Sequence, residues 1–474
     1  MSSYITIPTG IEGLDKIITG FPRGGLITVS GNPGTGKTAL AGAFIYNSAV
    51  KFNEPGVYAS FLEDEERFYD FMSGFGLDFR SLRDKGLFKY LAIPTLFEPG
   101  MSISVADILE TVESIGAKRL VIDSFTALSQ MFKSPPEARV FLHSLLSKIA
   151  RQMDCTTMLI KEVQSEQVYE YGFEEFISDG VILLRREIME DRVFREVRIL
   201  KMRGSQIKEP LSCISLYKGF RIYHPVTITQ KYYDDNRRYE PPPDPPSGYT
   251  TGISDLDKEM GGFPTSSTIV YEIDPTLTMS EYNVLVTPFA ASYISRDRPE
   301  IVLPTGGFDW KDILKYVMAY GISPDKISNY MRILVDVVRT EDILPKNVKK
   351  IDMFSPADVI NEIGNLTDYF LKSRSCSPLV ILGMDRLVFR LREAAFDVTY
   401  YLSNMVREIG GLTLWIIKPV YPWIIERLAP VTHIHLRIAK HHGRIILKGI
   451  KPRLPFYIVD LVKDDLEPRL IPIV

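Results

Sequence analysis

The stretch "TGIEGLDKIITGFP", beginning at Thr9, returns as "TGISDLDKEMGGFP", beginning at Thr251. Gly10 pairs with Gly252, Leu14 with Leu256, Asp15 with Asp257 and Phe21-Pro22 with Phe263-Pro264, always at the offset 252 − 10 = 242. A gapless offset over about thirty residues marks a duplicated domain rather than an array of short repeats. With 474 residues the chain is also too long for a single hydrophobic core. Two tandem domains are therefore expected, over residues 1–232 and 248–474. Between them, residues 233–247 include "EPPPDPP", where five prolines in six residues favour extension and remove backbone donors, as in a semi-rigid linker.

Each half alternates short apolar runs with helical stretches. In the first, "GLITVSG", "GVYASF", "RLVIDS" and "TTMLIKE" read as buried strands, and "TALAGAFIYNSAVKF" as a helix of good formers. Strands of this kind, separated by helices, predict an α/β fold with a mostly parallel central sheet and helices on both faces.

The strongest chemical signal follows the first strand. Gly31, Asn32, Pro33, Gly34, Thr35, Gly36, Lys37 and Thr38 satisfy G-x-x-x-x-G-K-[ST], with a strand before and a helix after, the context this motif requires. Glycines let the backbone N–H groups wrap phosphates at the positive end of the helix. Lys37 is expected to neutralise the outer phosphates, and the Thr38 hydroxyl to ligate Mg²⁺. Asp123, closing "KRLVIDS", is placed to hold the same ion through a water.

Bulk properties narrow the field. A formal charge of −3 with 24% charged residues gives no general attraction to nucleic acid or anionic membrane. Cys155, Cys213 and Cys376 have no paired spacing, which reads as a reducing compartment. The start "MSSYITIPTG" has no signal-peptide pattern, and no apolar run reaches spanning length, so a cytoplasmic protein is expected.

The stretches "TGIEGLDKIITGFPRGGLITVSGNPGTGKT", "RLVIDSFTAL", "YGFEEFISDGVILL" and "ILKMRGS" resemble the KaiC-like branch of RecA-type ATPases. The likeness covers about residues 5–224, and the second half follows the same frame more faintly. It implies a duplicated RecA-like P-loop fold, ATP as nucleotide with Mg²⁺, and a homo-oligomer, a hexameric ring with ATP at subunit interfaces. A regulatory protein partner of unknown identity is also implied. Where the family usually has two consecutive glutamates after the second strand, this chain has Leu62 and Glu63, so the resemblance gives Glu63 the role of orienting the attacking water. Lys201 and Arg203 of "KMRG" match the pair that reaches the terminal phosphate of the neighbouring subunit. Ile207 and Tyr217 stand where polar nucleoside contacts are usual, which leaves base preference open.

In the second half the offset turns Gly31 into Ile273, Gly34 into Thr276, Gly36 into Thr278 and Lys37 into Met279. β-Branched residues fit poorly where a loop needs positive φ, and methionine cannot neutralise phosphate. The second acid is ambiguous, Gly383 or Asp385. The expectation is one working site beside a degenerate domain, with slow hydrolysis. The competing readings are a nucleotide-gated scaffold with little turnover, favoured by Leu62, and a RadA-like DNA-repair motor, disfavoured by the charge. Four of the six histidines fall in "THIHLRIAKHHGR", a weak metal candidate with no carboxylate or cysteine nearby in sequence.

Overall fold

The computed structural model describes residues 5–474 except 94–99, 164–170, 230, 235–238, 337–343, 419–422, 463 and scattered positions between 130 and 152. Part of the expected linker, residues 235–238, lies outside the described residues. The chain divides into two compact units, the first residues 1–225 with 442–444 and 472–474, the second residues 226–441 with 445–471.

In the first unit nine strands form one sheet among the described residues. They are β1 (Leu26–Gly31), β2 (Gly56–Ser60), β3 (Phe88–Ala92), β4 (Arg119–Asp123), β5 (Thr156–Glu162), β6 (Gly180–Met189), β7 (Arg192–Met202), β8 (Leu211–Ser215) and β9 (Arg221–Tyr223). The spatial order is β9-β8-β7-β6-β1-β5-β4-β2-β3, parallel from β6 to β3 and antiparallel beyond β6. β1 lies at the centre and is buried at every residue, its polar Thr28 and Ser30 included. Helix α1 (Lys37–Phe52) follows the loop after β1 and ends on Asn53 in the left-handed conformation.

The second unit repeats this winding. Its strands β10 (Thr268–Ile273), β11 (Glu300–Leu303), β12 (Met331–Val335), β13 (Val348–Lys350), β14 (Leu379–Gly383), β15 (Leu412–Ile417) and β16 (Ile434–His441) lie in the order β13-β12-β11-β14-β15-β10-β16, with every pairing parallel. β17 (Arg444–Lys451), β18 (Phe456–Asp460) and β19 (Arg469–Pro472) extend that sheet beyond β16. α2 (Met279–Ser295) takes the place of α1 and starts at the residue matching Lys37. Two tandem α/β domains, each with a mostly parallel sheet between helices, are thus present. The prolines after Glu240 are tied to the second unit: Asp244 ion-pairs with Arg298 at 2.5 Å, and Arg296 donates to the Pro242 carbonyl.

Candidate nucleotide phosphate site

The loop Gly31–Thr38 leaves the C-terminal end of β1 and enters α1. Gly34 has φ 74° and Gly36 φ 101°, values that favour glycine. A Cβ on Gly31 would sit 2.7 Å from both the Leu184 carbonyl oxygen and Thr35 Oγ1, so the glycine is also needed for space. Lys37 is buried, and its Nζ donates to the carbonyls of Gly31 and Asn32, each at 2.9 Å. Burial lowers its pKa, opposed by the carboxylates of Glu162 and Asp123.

Asp123 ends β4. Its Oδ2 accepts from Tyr58 Oη at 2.5 Å and lies 3.5 Å from Thr38 Oγ1. Burial raises its pKa, while the Tyr58 hydrogen bond and Lys37 pull it down, and Glu63 and Glu162 push it up. Hydroxyl and carboxylate oxygens are the hard donors Mg²⁺ prefers, and the loop presents backbone N–H groups at a helix start beside a buried ammonium. The residues present fit a Mg²⁺-bound polyphosphate.

Glu63 lies past the end of β2, just after a bend at Phe61 and Leu62, so strand alternation does not decide where it points. Ser60 Oγ accepts from the Leu62 and Glu63 amides at 3.3 and 3.1 Å, and Tyr90 Oη donates to the Glu63 carbonyl at 2.7 Å. The main chain is therefore fixed, and Glu63 is exposed near Asp123, while Leu62 is 61% exposed.

Lys201 belongs to β7, and Arg203 lies just beyond its end. Both are held by the short helix α3 (Phe173–Ile177), formed by the "FEEFI" run, and the residues after it. Lys201 Nζ donates to the carbonyls of Glu175 and Phe176 at 3.1 and 3.3 Å, and Arg203 pairs with Asp179 at 3.3 Å. Lys201 is opposite Val181, and Val181 is opposite Thr28, three residues before Gly31 along β1. At ~3.3 Å per residue, that sets the pair on the order of 10 Å back from the loop along the strands of the same chain.

Three contributors escaped the sequence reading. Tyr58 orients Asp123. Glu162 ends β5 opposite Gly31, with its charge felt at Lys37. Arg195 is buried on β7 and donates from Nη1 to the Gly34 carbonyl at 2.5 Å, bracing the loop from below. Only Glu162 carried a sequence signal, as the acid closing an apolar strand. Replacing Tyr58 by Phe removes a bond that favours the ionised form of Asp123. Proton competition with Mg²⁺ then begins at higher pH, and the Mg²⁺ requirement is expected to rise severalfold. Magnesium titrations of nucleotide turnover on the acid side of neutrality read this, and an unchanged acid limb would show that the bond has no such role.

The matching slot in the second unit is closed by its own side chains. Asp274 Oδ1 accepts from the Thr276 amide and hydroxyl at 2.8 and 2.6 Å. Thr278 and Glu281 form a capping box: Glu281 N donates to Thr278 Oγ1 at 3.3 Å, and Thr278 N to Glu281 Oε2 at 2.9 Å. Glu281 is buried and paired with Lys440 at 2.6 Å, so a carboxylate of the chain itself occupies the anion-attracting helix start. Strand register resolves the ambiguous acid. Gly56 pairs with Arg119, and Glu300 with Leu379, so Asp123 corresponds to Gly383. Asp385 lies in the following helix, accepting from the Gly306 amide at 3.0 Å. The histidine stretch is structural in part: His435 pairs with Glu272 at 2.9 Å, and His433 Nδ1 accepts from the Thr268 amide at 3.1 Å. Among the described residues no group of three or more His, Cys, Asp or Glu is arranged to hold a metal, and no helix is long and apolar enough to cross a membrane.

A mostly parallel sheet wound in this order, with a glycine loop at its central strand, defines a RecA-type α/β protein. A family model described as "ATPase: KaiC" matches residues 7–223. The circadian clock oscillator protein KaiC of Parathermosynechococcus lividus is 35% identical over 207 residues, 42% of this chain and 38% of that protein. KaiC of Thermostichus vulcanus is 32% identical over 266 residues, 54% of this chain and 49% of that protein. The crystal structure of a KaiC-like protein from Pyrococcus horikoshii matches at 31% identity with a TM-score of 0.42, covering 46% of this chain and 99% of that one. The family-model match lies in the first unit, whose residues 7–223 are similar to the KaiC ATPase family. The chain spans about half or less of the length of these curated relatives.

Proposed function

We propose that the chain is a regulatory ATPase with one working site, in the first unit, completed by a neighbouring copy in a homo-oligomer, a hexameric ring as the family resemblance implies. The observation that carries this reading is Lys37 buried inside a glycine loop at the start of α1. The loop amides and Lys37 hold the β- and γ-phosphates of ATP, and Thr38 and Asp123 hold Mg²⁺. When bound, the ion would supply positive charge against the phosphate oxygens. Glu63 orients the water for in-line attack, and Lys201 and Arg203 neutralise charge on the γ-phosphate of the adjacent copy. Their distance from the loop of their own chain supports a role in trans. The second unit, with Glu281 and Lys440 in the phosphate slot, binds no nucleotide and serves as a scaffold or a surface for a regulatory protein.

Leu62 favours a second reading, in which ATP binding drives assembly and signalling with little turnover. Steady-state phosphate release by the wild type, with Asp123→Asn as control, separates the two. The ATPase reading expects turnover at least about a hundredfold above the control; turnover at the control's level, with nucleotide binding retained, selects the gated scaffold. Solution mass with and without Mg-ATP tests the assembly, and a monomer under both conditions would defeat the trans site.

A further inference from the structure

The second unit holds a pocket between α2, β11 and the helix α4 (Trp310–Ala319). Val286, Val302, Phe308, Val317 and Ile381 belong to its apolar wall. Glu300 lines it as well. That side chain is wholly buried, and neither of its oxygens has a hydrogen-bond partner among the described residues. A carboxyl buried without a partner is costly to keep, and its presence asks for a compensating group.

The first unit shows what a merely structural solution looks like at this place. Pro55-Gly56 begins β2 as Pro299-Glu300 begins β11, and each pair has the same strand neighbours on both sides. Gly56 is packed against Ile45 of α1, whose Cγ2 would lie 2.6 Å from an added Cβ. Moving Ile45 by the offset 242 gives Thr287, and moving Ala41 gives Asn283. Three neighbouring core positions have therefore become polar together, Gly to Glu, Ile to Thr and Ala to Asn, and all three new residues line the pocket. Thr287 and Asn283 are buried, and the threonine hydroxyl donates to Asn283 Oδ1 at 3.5 Å, which leaves its lone pairs free to accept.

We propose that this pocket binds a small primary amine, with its hydrocarbon body against Val286, Val302 and Phe308 and its ammonium on the carboxylate of Glu300 and the hydroxyl of Thr287. An ammonium offers three donors and the charge that an ionised carboxyl needs, whereas water or an alcohol brings no charge and leaves the carboxyl neutral. Burial holds the Glu300 carboxyl well above the usual carboxylate range, so the ionised form is favoured only when a cation arrives. The second unit would thus be a ligand-sensing module on a fold that has lost its phosphate loop.

The test is calorimetric and nuclear magnetic resonance titration of the full chain, without nucleotide, with propylamine, isoamylamine and phenethylamine, and with isoamyl alcohol as the uncharged control. At least one amine is expected to saturate one site per chain, about tenfold or more tighter than the alcohol. Glu300→Gln should weaken that amine by a similar factor while the melting temperature holds. Thr287→Ile, which refills the space as Ile45 does in the first unit, keeps the carboxyl and should exclude the amine, so the proposal stays testable if Glu300→Gln fails to fold. Equal binding of alcohol and amine, undiminished binding by both variants, or no saturation by any amine in the millimolar range would overturn it. Because no nucleotide is present, none of these outcomes depends on the ATPase reading.

Discussion

Lys37→Met is expected to lower nucleotide turnover by about a hundredfold or more and to leave the fold standing. The substitution writes the residue of the second unit, Met279, into the first. Lys37 sits among backbone carbonyls with its ammonium buried, so the chain bears a desolvation cost for keeping that charge there. Methionine has a comparable length without the charge, and the matching helix starts with it. The melting temperature should therefore stay level or rise, while phosphate release collapses and binding of a fluorescent ATP analogue weakens. A variant that keeps more than about a tenth of wild-type turnover, against the factor expected from losing one electrostatic stabiliser, would remove Lys37 from the chemistry.

Arg203→Ala carries the other large effect. A guanidinium supplied to the γ-phosphate contributes roughly a thousandfold or more to turnover, and the alanine variant should lose that factor while still binding nucleotide. Its only ion pair in its own chain among the described residues, with Asp179, is half exposed and adds little to stability. The decisive measurement mixes the two inactive variants. In an equal mixture that exchanges subunits, roughly a quarter of interfaces join an intact Lys37 from one copy to an intact Arg203 from the next. Turnover should return to about that fraction of wild type. No recovery on mixing, with exchange verified by mass, would place the arginine outside any trans site.

Much of this was legible in the sequence because the determinants are local. Gly34 and Gly36 announce positive φ, and the apolar run of β4 announces a strand buried on both faces. The repeated frame gave the second sheet its winding. What stayed hidden depends on partners distant in sequence. Tyr58 reaches Asp123 only because β2 and β4 lie side by side, and Arg195 meets Gly34 only through the β7-β6-β1 order. The choice between Gly383 and Asp385 needed strand register, since helix and loop insertions erase the constant offset there. One signal was present and passed over: Thr278-Met-Ser-Glu281 is a capping-box pattern, and it already says that the helix start is satisfied by its own side chains. Glu63 lies beyond Ser60, where β2 ends, so its direction does not follow from strand alternation.

The placement of Lys201 and Arg203 well back from the phosphate loop along the same strands has a consequence for assembly. In the proposed trans site, donor and acceptor surfaces are different patches, so a copy giving its arginine to one neighbour would receive another from the opposite side. Such contacts are head-to-tail and polar in direction, unlike the self-complementary patch of a two-fold dimer. Nothing in that rule fixes the number of copies; it fixes only that the series must close on itself or grow. The rotation per step decides between a ring and a filament, and a copy lacking the arginine would still accept one neighbour while leaving the next site empty-handed.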